Sequence, residues 1–507
     1  MVVITLISNA LLSSSLAGTL IALTIIVLVL WYGTIPRRLP PGPYGLPFLG
    51  CIPYLQVASP HFVLEKWAKR YGPVMSFYMA EHLVVVLSDR HVMDETLVKQ
   101  GDAYAGRPPV LLPQPEKIKS GHGLITAEGE LWKEQRRFAA RTIHDFCSFS
   151  GSHSAFEESL YAEVSRLVAS VDRLSSEQAQ MDLYQPVSRA SSNVMCTLLF
   201  GRSFEDEQSL QAQVERINYR NATAKVHSLS AILYMPWLIK LPFLRKKMEK
   251  FLREGDEIAQ FFQDRIDETY LSYDPNKEPS NYVHAFLKAR DDGSGNYFTD
   301  DQLLPAVFQL FVGGTETVTT TLRWALYIMA MYPAVQEDVY QEIKAKVGTK
   351  AVRKDDMARL SFVQATVMEI MRLVTILPMA AVHKTTTETT INGYVIPAET
   401  RVIPFLYNVH RSEEAFPDPF KFDPSRFIQK NGELVNNLSW IPYSLGKRMC
   451  PAKSLAKVEL FVIFSSLIQH FRLSFSPSER PITGDDCVMG ITQCPTSRLF
   501  TVEKRAH

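Results

Sequence analysis

Apolar residues run almost unbroken at the start of the chain. No charged side chain occurs from Met1 to Pro36, and Leu16 to Tyr32 is the densest part of the run. That segment with its flank approaches the ~20 residues that cross a bilayer. Trp31 and Tyr32 stand where interfacial aromatics belong, with Arg37 and Arg38 just beyond. A cleaved signal peptide is the rival reading, but no basic segment precedes the run and no small-residue cleavage site comes after it. The pattern predicts a membrane anchor over residues 1–36 with the remainder of the chain on the cytosolic side. Residues 37–50 include Leu39-Pro40-Pro41-Gly42-Pro43 and Gly45-Leu46-Pro47, which forbid regular helix and predict a stiff hinge.

From residue 51 the pattern becomes periodic. Phe62 to Tyr71 reads as an amphipathic helix, and Val74 to Tyr78 and Leu83 to Leu87 read as strands. From Trp132 to Ile343 no long strand pattern occurs and helix follows helix, the most apolar running from Asp300 to Met331. Leu455, Val458, Leu460, Ile463, Phe464, Leu467, Ile468 and Phe471 predict another apolar helix. Strand-like runs return at Thr389 to Ile396 and beyond Phe471. The expected fold class is mostly α with a minor β region, and residues 51–507 are expected to form the functional body.

Composition narrows the function. The chain has 507 residues, 46% hydrophobic and 21% charged, with a formal net charge of +1, so it offers no basic excess to suggest nucleic acid. Its six cysteines are scattered without zinc-site spacing, which fits a reduced compartment better than a disulfide framework.

One of those cysteines is placed for chemistry. Trp440-Ile441-Pro442-Tyr443-Ser444-Leu445-Gly446-Lys447-Arg448-Met449-Cys450-Pro451-Ala452 puts Cys450 at the end of a turn-rich loop, immediately before the second apolar helix. The positive end of a helix favours thiolate over thiol, and Arg448 adds a nearby cation. A buried, unreactive cysteine is the alternative.

The stretch resembles the axial-ligand signature of the cytochrome P-450 haem-thiolate monooxygenases at Trp440, Pro442, Tyr443, Gly446, Arg448, Cys450 and Ala452. It departs at Ser444, where the family usually has glycine. Further motifs keep the family's order. Gly313-Gly314-Thr315-Glu316-Thr317 resembles its distal helix, with Glu316 and Thr317 as the acid–alcohol pair that delivers protons. Two glycines inside a helix cost roughly 1 kcal/mol each, which predicts a close approach to the backbone. Val318 stands where many relatives have a second alcohol. Glu369 and Arg372, three apart on a helix, with Arg426 in Phe422-Asp423-Pro424-Ser425-Arg426-Phe427, resemble a structural charge network. Trp132 and Arg136, with Arg107, His383 and Arg448, match contacts to the haem carboxylates.

The resemblance covers nearly everything from Leu39 onward. It implies the cytochrome P-450 fold, haem b (iron protoporphyrin IX) held by Cys450, and an oxidoreductase that inserts one oxygen atom. No dinucleotide fingerprint occurs, so NADPH enters only through a partner, the NADPH–cytochrome P-450 reductase, with cytochrome b5 as a further electron donor. The animal microsomal type, near family 2 and related steroid hydroxylases, implies an endoplasmic reticulum membrane protein with its body in the cytosol. Helical spacing aligns Ala306, Leu310, Gly313 and Thr317, and the resemblance adds Ile376, Met379 and Ile491 to the substrate wall. These mostly apolar positions predict an apolar small molecule: a steroid, fatty acid derivative or xenobiotic. A haem-thiolate isomerase or dehydratase needing no reductase, and a non-catalytic haem sensor, are the alternatives.

Overall fold

The structure is a computed structural model that describes residues 38–55, 59–109, 117–118, 120–148, 154–203, 232, 234–293, 296–476, 487–490 and 492–506, with Leu20, Ala22, Leu23 and Ile26. The expected anchor lies almost wholly outside the described residues, among which no helix is long and apolar enough to cross a membrane.

Twelve α-helices and ten short strands are described, besides short 3-10 and π helices. The helices are α1 Pro60–Tyr71, α2 Arg90–Met93, α3 Gly129–Ser148, α4 Ser154–Glu177, α5 Tyr184–Phe200, α6 Pro242–Leu271, α7 Tyr282–Asp291, α8 Asp300–Met331, α9 Pro333–Lys346, α10 Ser361–Val374, α11 Leu406–Val409 and α12 Lys453–His470. The strands are β1 Val74–Met79, β2 His82–Leu87, β3 His383–Lys384, β4 Thr389–Ile391, β5 Tyr394–Ile396, β6 Arg401–Pro404, β7 Phe471–Phe475, β8 Cys487–Met489, β9 Gln493–Pro495 and β10 Phe500–Lys504. A mostly helical body with a minor β part agrees with the hydrophobic pattern.

α8 is the centre. It has 32 residues, most of them buried, because α5, α10 and α12 pack around it. Asp300 and Asp301 in its first turn complement the helix dipole. The two glycines serve different purposes. A Cβ on Gly314 would meet the side chain of Met195, so this glycine lets α5 approach. A Cβ on Gly313 would meet nothing within 4 Å, because that position opens onto the site.

The main sheet has the order β1-β2-β6-β3. β1 and β2 are antiparallel with Val74 opposite Leu87, β2 and β6 run parallel, and β3 closes the edge with His383 opposite Val402. This edge pairing fixes His383. The strand-like run at Thr389–Ile396 forms a hairpin of β4 and β5. Asn392 and Gly393, with φ of 49° and 81°, form the turn that reverses it.

Candidate active site

α8 and the Cys450 loop face one another across a cavity of about 270 Å³. Gln309, Leu310, Gly313, Gly314, Thr317, Val318 and Thr321 of α8 line one side. Pro442, Tyr443, Cys450 and Ala452 line the other, and Val374, Ile376 and Leu377 add apolar wall.

The thiol is held by its loop. Cys450 N–H donates to Tyr443 O at 3.0 Å, and Gly446 adopts φ 71° where a Cβ would strike the Leu97 carbonyl oxygen. Ser444 also lies in the left-handed region, at φ 62°, where glycine would be free of strain. Burial raises the pKa of Cys450, while the Ala452 amide and the Arg136 and Lys453 charges oppose the rise. The local cations are therefore Arg136 and Lys453, not the Arg448 that the sequence suggested. A bound metal ion deprotonates a coordinating thiol outright, which burial alone does not.

Arg448 belongs to a cationic edge. Its Nε and Nη2 donate to Ala105 O and Ala127 O, each at 2.7 Å, and its guanidinium carbon lies 3.7 Å from the centre of the Trp132 ring. Arg107 Nη1 donates to Ala381 O at 3.0 Å and Val382 O at 2.7 Å, and Arg136 Nη2 donates to Met449 O. Burial, with the charges of Arg107 and Arg136, pushes Arg448 down to about 8, and burial with Arg136 pushes Arg107 down to about 10. Among the described residues none of the three guanidinium groups makes an ion pair. The buried indole N–H of Trp132 has no hydrogen-bond partner. Three crowded cations and a free donor fit a group that brings carboxylates to this edge, as haem does. His383, at the same edge, donates Nδ1–H to Tyr104 O at 2.8 Å, and burial beside Arg107 pushes it down to about 3. Its ring is therefore neutral.

The adjacent residues Glu316 and Thr317 point different ways. Thr317 lines the cavity and donates Oγ1–H to Gly313 O at 2.7 Å. Glu316 is buried outside the lining, where its Oε1 accepts from Thr492 at 2.7 Å and Thr320 at 3.2 Å. Burial raises its pKa. Leu310, Gly313 and Ile376 line the cavity. Ala306 is buried but outside the lining, on the stretch of α8 between Gln302 and Gln309 that holds segment 123–125. Met379 packs against the sheet cluster of Phe77, Val84 and Phe405 instead. Ile491 lies outside the described residues.

The expected charge network is assembled. Arg372 binds Glu369 with two bonds of 2.7 and 2.9 Å, and Arg426 Nε reaches Glu369 Oε1 at 3.0 Å. Glu369 and Arg372 are both 0% exposed. Two functional positions escape sequence reasoning. Gln309 Oε1 accepts from the Leu124 and Ile125 amides, both at 2.7 Å, and so fixes a cavity wall. Its signal was one polar residue in an apolar helical stripe. His410 is fully buried, accepts from Ile441 N–H at 3.1 Å through Nε2 and pairs with Thr375 at 2.9 Å through Nδ1. It ties α10 to the Cys450 loop, and nothing in the sequence marks it.

Comparison with known proteins agrees with this geometry. The family profile described as Cytochrome P450 matches residues 40–499. Cytochrome P450 2C23 of Rattus norvegicus is 32% identical over 462 residues, covering 90% of this chain and 92% of that protein. Cytochrome P450 2U1 of Rattus norvegicus is 31% identical, over 97% of this chain and 96% of its own. Cytochrome P450 2K4 of Oncorhynchus mykiss is 30% identical, over 92% of each. A family-wide match over a site with a cavity-facing thiol and a cationic edge leads to one conclusion: this chain belongs to the cytochrome P450 family of haem monooxygenases.

Proposed function

We propose that this chain hydroxylates an apolar small molecule, of the steroid, fatty acid or xenobiotic class, with dioxygen and electrons from an NADPH-dependent flavoprotein reductase. The observation that carries the reading is the cavity itself, with the Cys450 thiol on one wall, the Thr317 hydroxyl opposite and mostly apolar side chains between. Haem held by Cys450, with its carboxylates at Arg107, Trp132, Arg136, His383 and Arg448, supplies the oxygen chemistry. The protein's own residues bind and orient. Leu310, Val374, Ile376 and Leu377 favour an apolar substrate and exclude water. Thr317 Oγ1 is the hydroxyl that passes a proton into the cavity, while the adjacent Glu316 carboxyl is held on another face of the helix by Thr492 and Thr320. Thr317 argues for oxygen activation over the isomerase, dehydratase or sensor alternatives.

Residues 1–36 serve as the anchor, 37–50 as the hinge and 51–507 as the catalytic body, at the endoplasmic reticulum membrane. Exposed aromatics support a membrane-facing side. Tyr44 and Phe48 are 74% and 73% exposed beside a segment that bridges to β1, and Trp237 and Phe243 are 61% and 66% exposed. Tyr234 places that second group against the sheet through His82. The reductase, with cytochrome b5 as a further donor, docks on the thiolate side at Lys133, Arg137 and Lys447. Lys133 and Arg137 are held by Glu130 and Glu134 on the same helix, exposed pairs that an acidic partner can displace.

The holoprotein, reductase and NADPH, supplied with a lipid extract, should yield a product one oxygen atom heavier by mass spectrometry. Oxidation-free rearrangement, or no product with any extract that binds the cavity, would overturn the reading. Thr317→Ala should keep NADPH consumption while product per NADPH falls about tenfold and free hydrogen peroxide rises. That is less than the ~100-fold usual for a general acid, because water can enter the vacated space. An unchanged ratio would leave Thr317 as a feature of the helix only.

A further inference from the structure

A groove of about 440 Å³ lies along the Cys450 loop, lined by Trp440, Ile441, Leu445 and Met449 and sharing Met371, Pro442, Tyr443, Ser444 and Leu460 with the substrate cavity. We propose that it is a second binding site, one for a small amphiphilic anion: a carboxylate, sulfate or sulfonate on an apolar body.

The walls are apolar. Val367, Met368 and Met371 come from α10, Leu460 and Phe461 from α12, and Leu434 from the segment between α11 and α12. Methionines adapt to ligands of irregular shape, and the volume falls within the ordinary range for small-molecule sites. The groove opens past Leu438, which is 70% exposed.

The cations give the site its sign. Lys453 and Lys457 both line it, four residues apart on α12, so two like charges share one helix face. Their ammonium groups sit 5.9 Å from the Tyr443 ring and 5.7 Å from the Trp440 ring, and both rings are also lining residues. Among the described residues neither lysine makes an ion pair. Burial, with the Lys453 charge, lowers the pKa of Lys457. Two partly desolvated cations without a carboxylate, over aromatic rings and beside an apolar trough, complement an anion with a hydrophobic body. A neutral ligand would leave the repulsion uncompensated, and a small inorganic anion would leave the trough unfilled.

The test uses the haem-loaded protein with 4-phenylimidazole saturating the substrate cavity, and 8-anilinonaphthalene-1-sulfonate as probe. One equivalent should bind with a fluorescence rise and no change in the Soret band. The Lys453→Gln/Lys457→Gln variant should bind it about tenfold more weakly, and added salt should weaken binding to the parent protein. Uncharged N-phenyl-1-naphthylamine should be indifferent to the substitutions. The reduced carbon monoxide spectrum of the variant checks its fold, and Lys457→Gln alone, further from Cys450, serves if the double variant fails to fold. Equal affinity for the sulfonate in parent and variant, or its displacement by 4-phenylimidazole, overturns the proposal. Neither result depends on reductase-supported turnover, so failure here is separable from failure of the oxygenase reading.

Discussion

Cys450→Ala should give a folded protein whose reduced carbon monoxide complex lacks the strongly red-shifted Soret band of thiolate ligation. The expectation rests on which contacts the substitution removes and which it leaves. Alanine keeps the backbone bond from residue 450 to Tyr443 O, the positive φ of Gly446 and the start of α12 at Lys453. It removes one sulfur atom from the cavity wall. Since α12 is anchored mainly by its buried Leu455, Val458, Leu460, Phe461, Ile463, Phe464 and Leu467, loss of that atom costs little stability. The ligand that tunes the iron is lost entirely, and axial thiolate is what favours O–O cleavage in this chemistry. Turnover should fall by more than about 10³-fold, the scale expected for a group required in every cycle. Circular dichroism should be unchanged. A normal thiolate band in this variant would mean that another residue holds the iron.

Glu369→Ala should destabilise the protein by roughly 3–5 kcal/mol, among the largest effects open to a single substitution. The carboxylate accepts two bonds from Arg372, one from Arg426 and one from the Asp423 amide at 3.0 Å. Removing it leaves the Arg372 guanidinium buried and uncompensated, and releases the 417–426 segment that Arg426 holds through Pro417 O. The damage should extend to the Cys450 loop. Arg372 also donates to His410 O at 2.8 Å, and His410 in turn receives the Ile441 N–H at 3.1 Å. Denaturant titration of the haem-loaded protein should show the shift, with early loss of the thiolate spectrum. Glu369→Met/Arg372→Met should recover much of the stability, because a buried pair replaced as a unit leaves no stranded charge. By contrast Glu249→Ala, which breaks the exposed pair with Arg245, should cost less than about 1 kcal/mol. A loss of that small size at Glu369 would show that the network is not structural.

Local features were legible wherever one residue type answers one physical need. The bounds of α8 follow from its unbroken apolar period, and Asp300 and Asp301 mark its start. The place of Cys450 before α12 follows from the turn-rich loop that ends there and the apolar period that begins at Leu455. The pairing of Glu369 with Arg372 follows from helical spacing. Other readings needed distances. The strand character of Thr389–Ile396 was legible, while the left-handed angles of Asn392 and Gly393 show that the run reverses into a hairpin. Met379 read as a wall residue beside Ile376, but three residues of irregular chain suffice to turn it into the sheet cluster.

The sequence by itself therefore determined the helical architecture, because periodicity and turn chemistry are local properties, and it marked Cys450 and the charged clusters as candidates through their resemblance to the family's motifs. Tertiary structure decided which way those groups face. Glu316 and Thr317 are neighbours in the chain, yet about 100° of helical rotation sends one hydroxyl to the cavity and one carboxyl to Thr492. Arg448 is two residues from Cys450, yet its guanidinium reaches Ala105 and Ala127, while Arg136 and Lys453 supply the charge beside the thiol. The pairing of His410 with Ile441 and of Gln309 with Leu124 joins residues 31 and 185 positions apart. Such contacts depend on how whole elements pack, and no local pattern encodes them.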